Sequence, residues 1–219
     1  MGRRTQVDEA GALHIEVSMS KLRTIIDGVM RQDPMAEAIE FRGEWRHWGD
    51  LTSVIDQLNA IFDANGIAPG SRIGGVLRNT PEIAAVIVGV LASDRCIVTL
   101  NPLLPDEKLA GDIRALKTPV VLALSEDWQR EEVRGAAIAS KALCIEVPTG
   151  QGGPVTVISP LGEGDFRSDA EGIGIEMLTS GTTGTPKRIP LKATNFERMI
   201  LDAAVFENRD IDAAPRLRK

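Results

Sequence analysis

One short segment holds most of the residues that could do chemistry. It runs from Met177 to Lys187 and reads MLTSGTTGTPK, with hydroxyl-bearing residues around two glycines and a lysine at its end. The glycines relieve backbone strain and let successive N–H groups turn inward as an anion-binding nest. The hydroxyls can donate hydrogen bonds to phosphate oxygens, and the lysine adds a charge-assisted bond, so the segment predicts a polyphosphate site. The predicted binding residues are Thr179, Ser180, Gly181, Thr182, Thr183, Gly184, Thr185, Pro186 and Lys187.

This segment differs from two common phosphate-binding motifs. It has no Gly-Lys-Ser/Thr triplet before a helix, as a Walker A loop requires, and no G-x-G-x-x-G dinucleotide fingerprint. A flexible Ser/Thr/Gly linker has a similar composition. The segment lies, however, between two strand-like stretches, Ile173 to Thr179 and Arg188 to Leu191, and this context favours a phosphate loop over a linker.

The rest of the chain alternates between helix patterns and strand patterns. Near-continuous apolar strands separated by helices indicate an α/β fold with a largely parallel sheet layered with helices on both faces. A hairpin with its turn at Gly43 is predicted in 36–45, and Thr80 with Pro81 predicts a capped helix start. Helices are predicted in 20–31, 48–65, 80–93, 105–117, 126–140 and 194–207, and strands in 72–77, 96–100, 119–124, 142–147, 155–158, 173–179 and 188–191.

Composition shifts divide the chain into four predicted parts. Residues 1–18 form a loose N-terminal segment, and 19–147 form an α/β subdomain. Residues 148–171 form a connection rich in Gly, Pro, Ser and Asp. Residues 172–219 contain a strand, the phosphate loop and the start of a further subdomain.

Bulk properties exclude several functions. The net charge of −6 disfavours nucleic-acid binding, which usually needs a basic face. Cys96 and Cys144 lie in apolar runs, as buried free thiols do, and His14 and His47 lack metal-site spacing. The longest apolar run, Ile83 to Leu91, is about half of a membrane span. The start has no secretion signal, so a cytoplasmic location is expected.

In these motifs, the chain resembles the adenylate-forming superfamily of acyl-CoA synthetases, peptide-synthetase adenylation domains and luciferases. The stretch from Thr179 to Lys187 looks like the phosphate-binding signature of that family. The resemblance covers most of residues 35 to 207. Weaker matches precede the signature in the same order as in the family. These matches are Trp48 to Leu51, Gly66 to Ile73, Asn79 to Glu82 and Asn101-Pro102.

The resemblance implies an ATP-dependent, acyl-CoA ligase type of reaction. A carboxylic acid would attack the α-phosphate of ATP, with Mg²⁺, to give an acyl-adenylate and pyrophosphate, and CoA would then take the acyl group. The predicted loop would grip the β- and γ-phosphates during the first step and be mobile without ATP. The alternative is a non-catalytic α/β module that binds nucleotide phosphate or a protein partner.

The chain departs from the family pattern in four respects. Arg188 stands where glycine usually follows the lysine, and its side chain is expected to point to solvent. Trp48 replaces a common tyrosine, and a glycine-rich turn reads Ser93-Asp94-Arg95. The fourth departure is length, because the adenine, ribose and acyl pockets and the catalytic lysine of the family lie beyond this stretch. We therefore expect an N-terminal piece, inactive by itself, with no catalytic residue assigned.

Overall fold

The computed structural model describes residues 4–7, 13–16, 21–167, 169–179 and 187–206. The strands are β1 (Arg4–Val7), β2 (Leu13–Glu16), β3 (Glu37–Phe41), β4 (Glu44–His47), β5 (Arg72–Val76), β6 (Cys96–Leu100), β7 (Val120–Leu124), β8 (Leu143–Val147), β9 (Thr156–Ser159), β10 (Ile173–Thr179) and β11 (Lys187–Lys192). The helices are α1 (Lys21–Met30), α2 (Trp48–Ala64), α3 (Pro81–Ala92), α4 (Asp106–Leu116), α5 (Ser125–Trp128), α6 (Glu131–Ala139) and α7 (Ala193–Phe206).

A seven-stranded sheet organises these elements, in the order β11-β10-β6-β5-β7-β8-β9. The five inner strands pair in parallel, while β11 and β9 pair antiparallel to their neighbours at the two edges. The predicted α/β class with a largely parallel sheet is thus confirmed. The antiparallel edges arise because β10 to β11 and β8 to β9 have no helix between them.

Two apolar layers cover the sheet. Successive strand residues point to opposite faces, so Ile97 packs with α2 and α3 whereas Val98 packs with α4 and α6. Helices α2 and α3 approach closely at Gly89, where a Cβ atom would come within 3.0 Å of the Ile55 side chain. The Thr80 hydroxyl caps α3 by accepting a hydrogen bond of 3.3 Å from the N–H of Ile83, as predicted.

The first two strand pairs lie outside this sheet. In the predicted hairpin β3–β4, Arg42 and Gly43 both have positive φ, as a tight hairpin turn of this kind requires. Near the N-terminus, β1 and β2 pair antiparallel, where a loose segment was expected. Short alternating stretches there gave too weak a pattern to predict strands.

The predicted helix over 126–140 is wrong as one element. It is two helices, α5 and α6, separated at Gln129 and Arg130. The break lets the indole N–H of Trp128 donate to the Ile145 carbonyl at 3.1 Å. It also lets Arg130 reach the carbonyls of Pro102 and Leu104, at 3.0 and 2.6 Å, and these tertiary contacts override helix propensity.

The sheet also extends past the predicted internal boundaries. Strand β9 comes from the stretch 148–171, and β10 and β11 come from 172–219, yet all three join the same sheet. The division into subdomains stays a prediction. Among the helices described, none is both long enough and apolar enough to cross a bilayer.

Candidate phosphate-binding site

The predicted phosphate segment leaves the sheet at a defined edge. Strand β10 runs parallel to β6, so Thr179 lies at the carboxyl edge of the parallel strands. Lys187 begins β11 directly opposite Thr179 in the antiparallel register. Ligands of open α/β sheets bind beyond the carboxyl ends of the strands, so the segment has the placement that a binding loop needs.

Two of the nine predicted site residues lie in the described part of the chain. The backbones of Thr179 and Lys187 are brought together as the last pair of the β10–β11 ladder, and the Lys187 side chain is exposed. The residues from Ser180 to Pro186 lie outside the described residues, and their phosphate-binding role stays a prediction. The structure thus describes β10 and β11, the two strands that flank the predicted loop and that we call its stem.

A buried ion pair anchors the first strand of that stem. Glu176 of β10 is only 9% exposed and accepts hydrogen bonds from Nε and Nη2 of Arg72, at 2.9 and 2.7 Å. Asp169 binds Nη1 of the same arginine at 2.9 Å. Burial alone would lower the pKa of Arg72, but the hydrogen bonds and charges of the two carboxylates outweigh it and raise that pKa. The pair fixes β10 to β5 across β6.

Arg188 anchors the second strand, which corrects the expectation that it points to solvent. Its Nη1 donates to the Thr99 carbonyl of β6 at 3.2 Å, and the side chain is partly buried. Burial lowers the pKa of the guanidinium, while Asp112 and Glu176 act in the opposite direction. The side chain turns inward because β11 is an edge strand and a carbonyl of β6 lies within its reach.

Sequence reasoning missed Arg72, Glu176 and Arg188 as supports of this site. A charged residue inside an apolar strand, as Glu176 is in the run IGIEML, is the signal that could have pointed to them. A buried carboxylate needs a partner, and a partner so distant in sequence is fixed only by the strand order.

Two surface recesses lie at opposite edges of the sheet. One of about 240 Å³ follows β5 at the carboxyl edge, lined by Arg78, Thr80 and apolar residues of β3 and α3. The other, of about 410 Å³, lies where Pro69 and Arg95 precede β5 and β6, at the amino edge. Its arginines are matched by Asp27, Asp56 and Asp63 among its lining residues. The carboxyl edge is therefore the better placed for a ligand.

The two cysteine thiols lie in the core. Cys96 and Cys144 are free, buried thiols, as predicted. Burial raises the pKa of Cys96 to about 12 and that of Cys144 to about 11, so neither is a thiolate near neutral pH. Within the ranges that the structure describes, no group of three or more His, Cys, Asp or Glu side chains could hold a metal ion.

Several known proteins are similar to this chain in sequence or in fold. The family model for the AMP-binding enzyme matches residues 26–216. The hybrid PKS-NRPS synthetase mpsA of Macrophomina phaseolina (strain MS6) is 25% identical over 172 residues, covering 78% of this chain and 4% of that protein. The long-chain-fatty-acid–CoA ligase of Bacillus subtilis (strain 168) is 23% identical over 206 residues, covering 80% of this chain and 37% of that protein. The crystal structure of ATP-bound MatB from Rhodopseudomonas palustris superposes with a TM-score of 0.62 at 16% identity, covering 84% of this chain and 37% of that one.

The chain belongs to the AMP-binding enzyme family, because the family model matches most of its length. The resemblance to adenylate-forming enzymes is thereby confirmed at the level of the family. At 16% identity the likeness to MatB concerns the fold alone. The chain spans 4% and 37% of the two curated relatives, which are a peptide-synthetase type and a CoA-ligase type by name.

Proposed function

We propose that this chain provides the ATP polyphosphate site of an adenylate-forming ligase. The observation that carries the proposal is the β10–β11 stem, which places Thr179 opposite Lys187 at the carboxyl edge of the parallel strands. The seven residues between them, SGTTGTP, are rich in small and hydroxyl-bearing residues. Membership of the AMP-binding enzyme family supports the same assignment.

The proposed reaction begins with adenylation. A carboxylate oxygen attacks the α-phosphorus of ATP, a new C(O)O–P bond forms, and the bond to the β-phosphate oxygen breaks to release pyrophosphate. Loop N–H groups, the hydroxyls and the Lys187 ammonium would hold the β- and γ-phosphates and offset the charge that develops on the leaving group. This role is assigned to Thr179, Ser180, Gly181, Thr182, Thr183, Gly184, Thr185, Pro186 and Lys187.

The proposed second step transfers the acyl group to the thiol of CoA. The thiolate attacks the carbonyl carbon of the acyl-adenylate, and AMP leaves with the electron pair of the C–O bond. The likeness to the fatty-acid–CoA ligase supports CoA as the acceptor. The mpsA likeness keeps a carrier-bound thiol as the competing acceptor in the test.

We expect a magnesium ion to arrive with the nucleotide. Mg²⁺ in phosphate sites is held by one or two carboxylates at most, together with phosphate oxygens and water, so a dedicated cage of protein ligands is not required. Bound in this way, the ion would neutralise phosphate charge. The chain's own part is to orient the polyphosphate through the loop and its anchored stem.

Exchange of radiolabelled pyrophosphate into ATP tests the proposal. The full-length gene product that carries this chain should catalyse exchange only when a suitable carboxylic acid is present. Lys187→Ala should reduce exchange about 100-fold, as loss of a residue that stabilises developing charge does. Lys192→Ala is the matched control, since that lysine is exposed at the far end of the same strand and should leave the rate unchanged.

Three outcomes decide between the readings. Acid-dependent exchange followed by formation of an acyl-CoA supports the ligase, whereas acyl transfer only to a phosphopantetheine carrier assigns the other acceptor. ATP binding without exchange for any acid would instead identify a non-catalytic nucleotide-binding module.

A further inference from the structure

The side chain of Arg188 spans three strands. It starts on β11, passes β10 and reaches the Thr99 carbonyl of β6, and β10 lies between the other two strands in the sheet. Neighbouring strands are about 4.8 Å apart, so this contact bridges about 10 Å. An arginine in an almost extended conformation is needed to make it.

The environment of the guanidinium is unusual for a residue at an edge strand. The side chain is partly buried, and its one hydrogen-bond partner in the described part of the chain is a neutral carbonyl, at 3.2 Å. Asp112 and Glu176 act on it only through their charges. Burying a guanidinium without a paired carboxylate is costly, so the contact is not a by-product of surface solvation.

The contact lies where β10 stops pairing with β6 but still pairs with β11. The parallel register of β10 with β6 covers Ile175 and Glu176, whereas the antiparallel register with β11 continues to Thr179. Thr99 also donates its hydroxyl proton to the Glu176 carbonyl at 3.3 Å. Thr99 therefore holds both strands of the stem, β10 through its hydroxyl and β11 through its carbonyl.

We infer that Arg188 is a positioning residue, which holds the stem of the phosphate loop against β6 and so fixes Thr179 and Lys187, the two residues that flank the loop. The inference rests on the proposed function for that loop. Arg188 touches neither substrate nor reacting atoms in this role. It acts through the stem, and it does so before any nucleotide binds.

Hydrogen–deuterium exchange of the 219-residue chain without nucleotide is the first test. Arg188→Met removes the donor while keeping an extended apolar side chain. Amides of 177–179 and 187–189 should exchange roughly fivefold faster, which corresponds to one hydrogen bond of about 1 kcal/mol. Arg188→Lys keeps the charge but is shorter than the almost extended arginine, so it should not restore the protection. Arg198→Met is the control, because that arginine is 84% exposed on α7.

A second variant keeps the test decisive if Arg188→Met does not fold. Arg188→Gln keeps a polar side chain but is too short to reach the Thr99 carbonyl, and it should loosen the same amides. Unchanged exchange in the stem, or faster exchange spread evenly over all seven strands, would overturn the positioning role.

Steady-state kinetics of the full-length product provide the functional readout. Arg188→Met should raise the KM for ATP in pyrophosphate exchange roughly fivefold and leave the KM for the acid unchanged, with a similar rise in Arg188→Lys. An equal effect on both substrates would contradict positioning of the phosphate loop. Absence of pyrophosphate exchange in the unaltered protein would contradict the proposed function. The hydrogen–deuterium exchange experiment would still decide whether Arg188 holds the stem.

Discussion

Arg78 donates two hydrogen bonds of 2.8 Å to the two carboxylate oxygens of Asp127, which is fully buried. Arg130 adds a third contact, at 3.3 Å. The pair lies just past the carboxyl ends of β5 and β7, the two strands between which the chain order reverses. Crevices at such reversals commonly bind ligands, and Arg78 also lines the recess of about 240 Å³ at this edge.

Removing the buried carboxylate should destabilise the fold strongly. Asp127→Ala removes the buried carboxylate that Arg78 and Arg130 share and leaves Glu126 and Asp106 as their carboxylate partners. Breaking a buried pair of this kind costs about 3 kcal/mol. The free energy of unfolding in urea measures the change. Asp165→Ala is the control, because Asp165 is 85% exposed beside Lys117 and should alter stability little. Equal losses of unfolding free energy in the two variants would contradict a special stabilising role for Asp127.

The turn before β6 offers a stabilising substitution. Asp94 has φ of +56°, a left-handed conformation that costs an L-residue about 1 kcal/mol. Asp94→Gly removes that cost but adds freedom to the unfolded chain, which offsets about half of the gain. We expect a net gain of about 0.5 kcal/mol, measured by thermal unfolding. Asp94→Val should lower stability, because a β-branched residue tolerates this conformation poorly.

The sequence predicted those elements whose signals are local. Thr80 with Pro81 predicted the start of α3, and Gly43 predicted the β3–β4 turn, because caps and turns depend on residues within about one turn of each other. The helix break at Gln129 and Arg130 was missed because its cause is a set of contacts between residues 17 to 28 positions apart in the chain.

For the candidate site, too, the local features were predicted and the long-range contacts were not. The loop composition pointed to phosphate, and its position between two strand patterns favoured a phosphate loop over a flexible linker. The supports of the stem could not be predicted, since Arg72 meets Glu176 across 104 residues and Arg188 meets Thr99 across 89. Such partners follow only from the order of strands in the sheet. The wrong expectation for Arg188 came from treating a charged residue on an edge strand as solvated.

Both thiols should be unreactive in the folded chain. Cys96 and Cys144 are 0% exposed, and burial raises their pKa values to about 12 and about 11 from 9.0. Titration with a thiol-specific disulfide reagent at pH 8 should detect no thiol in the native chain and two in denaturant. Rapid reaction of either thiol without denaturant would contradict the buried core around β6 and β8.

The same shifts predict a loss of stability in alkali. Because the pKa values are raised in the folded state, the native chain holds these protons to higher pH than the unfolded chain does. Their contribution is complete below about pH 9 and is lost as the pH rises through 11 and 12. Unfolding measured in urea between pH 8 and pH 10.5 should show falling stability. The double variant Cys96→Ala, Cys144→Ala should show a shallower fall.

The two half-reactions of the proposed ligase separate the role of Lys187 from a general defect. If its ammonium holds the β- and γ-phosphates, it acts while pyrophosphate is the leaving group and has no phosphate to hold once pyrophosphate has gone. Lys187→Ala should therefore slow formation of the acyl-adenylate about 100-fold, but slow transfer from a supplied acyl-adenylate to CoA far less. Rapid-quench measurement of each step gives the two rates. An equal loss in both steps would place the effect of Lys187 on the fold of the stem, through its pairing with Thr179, rather than on the phosphates.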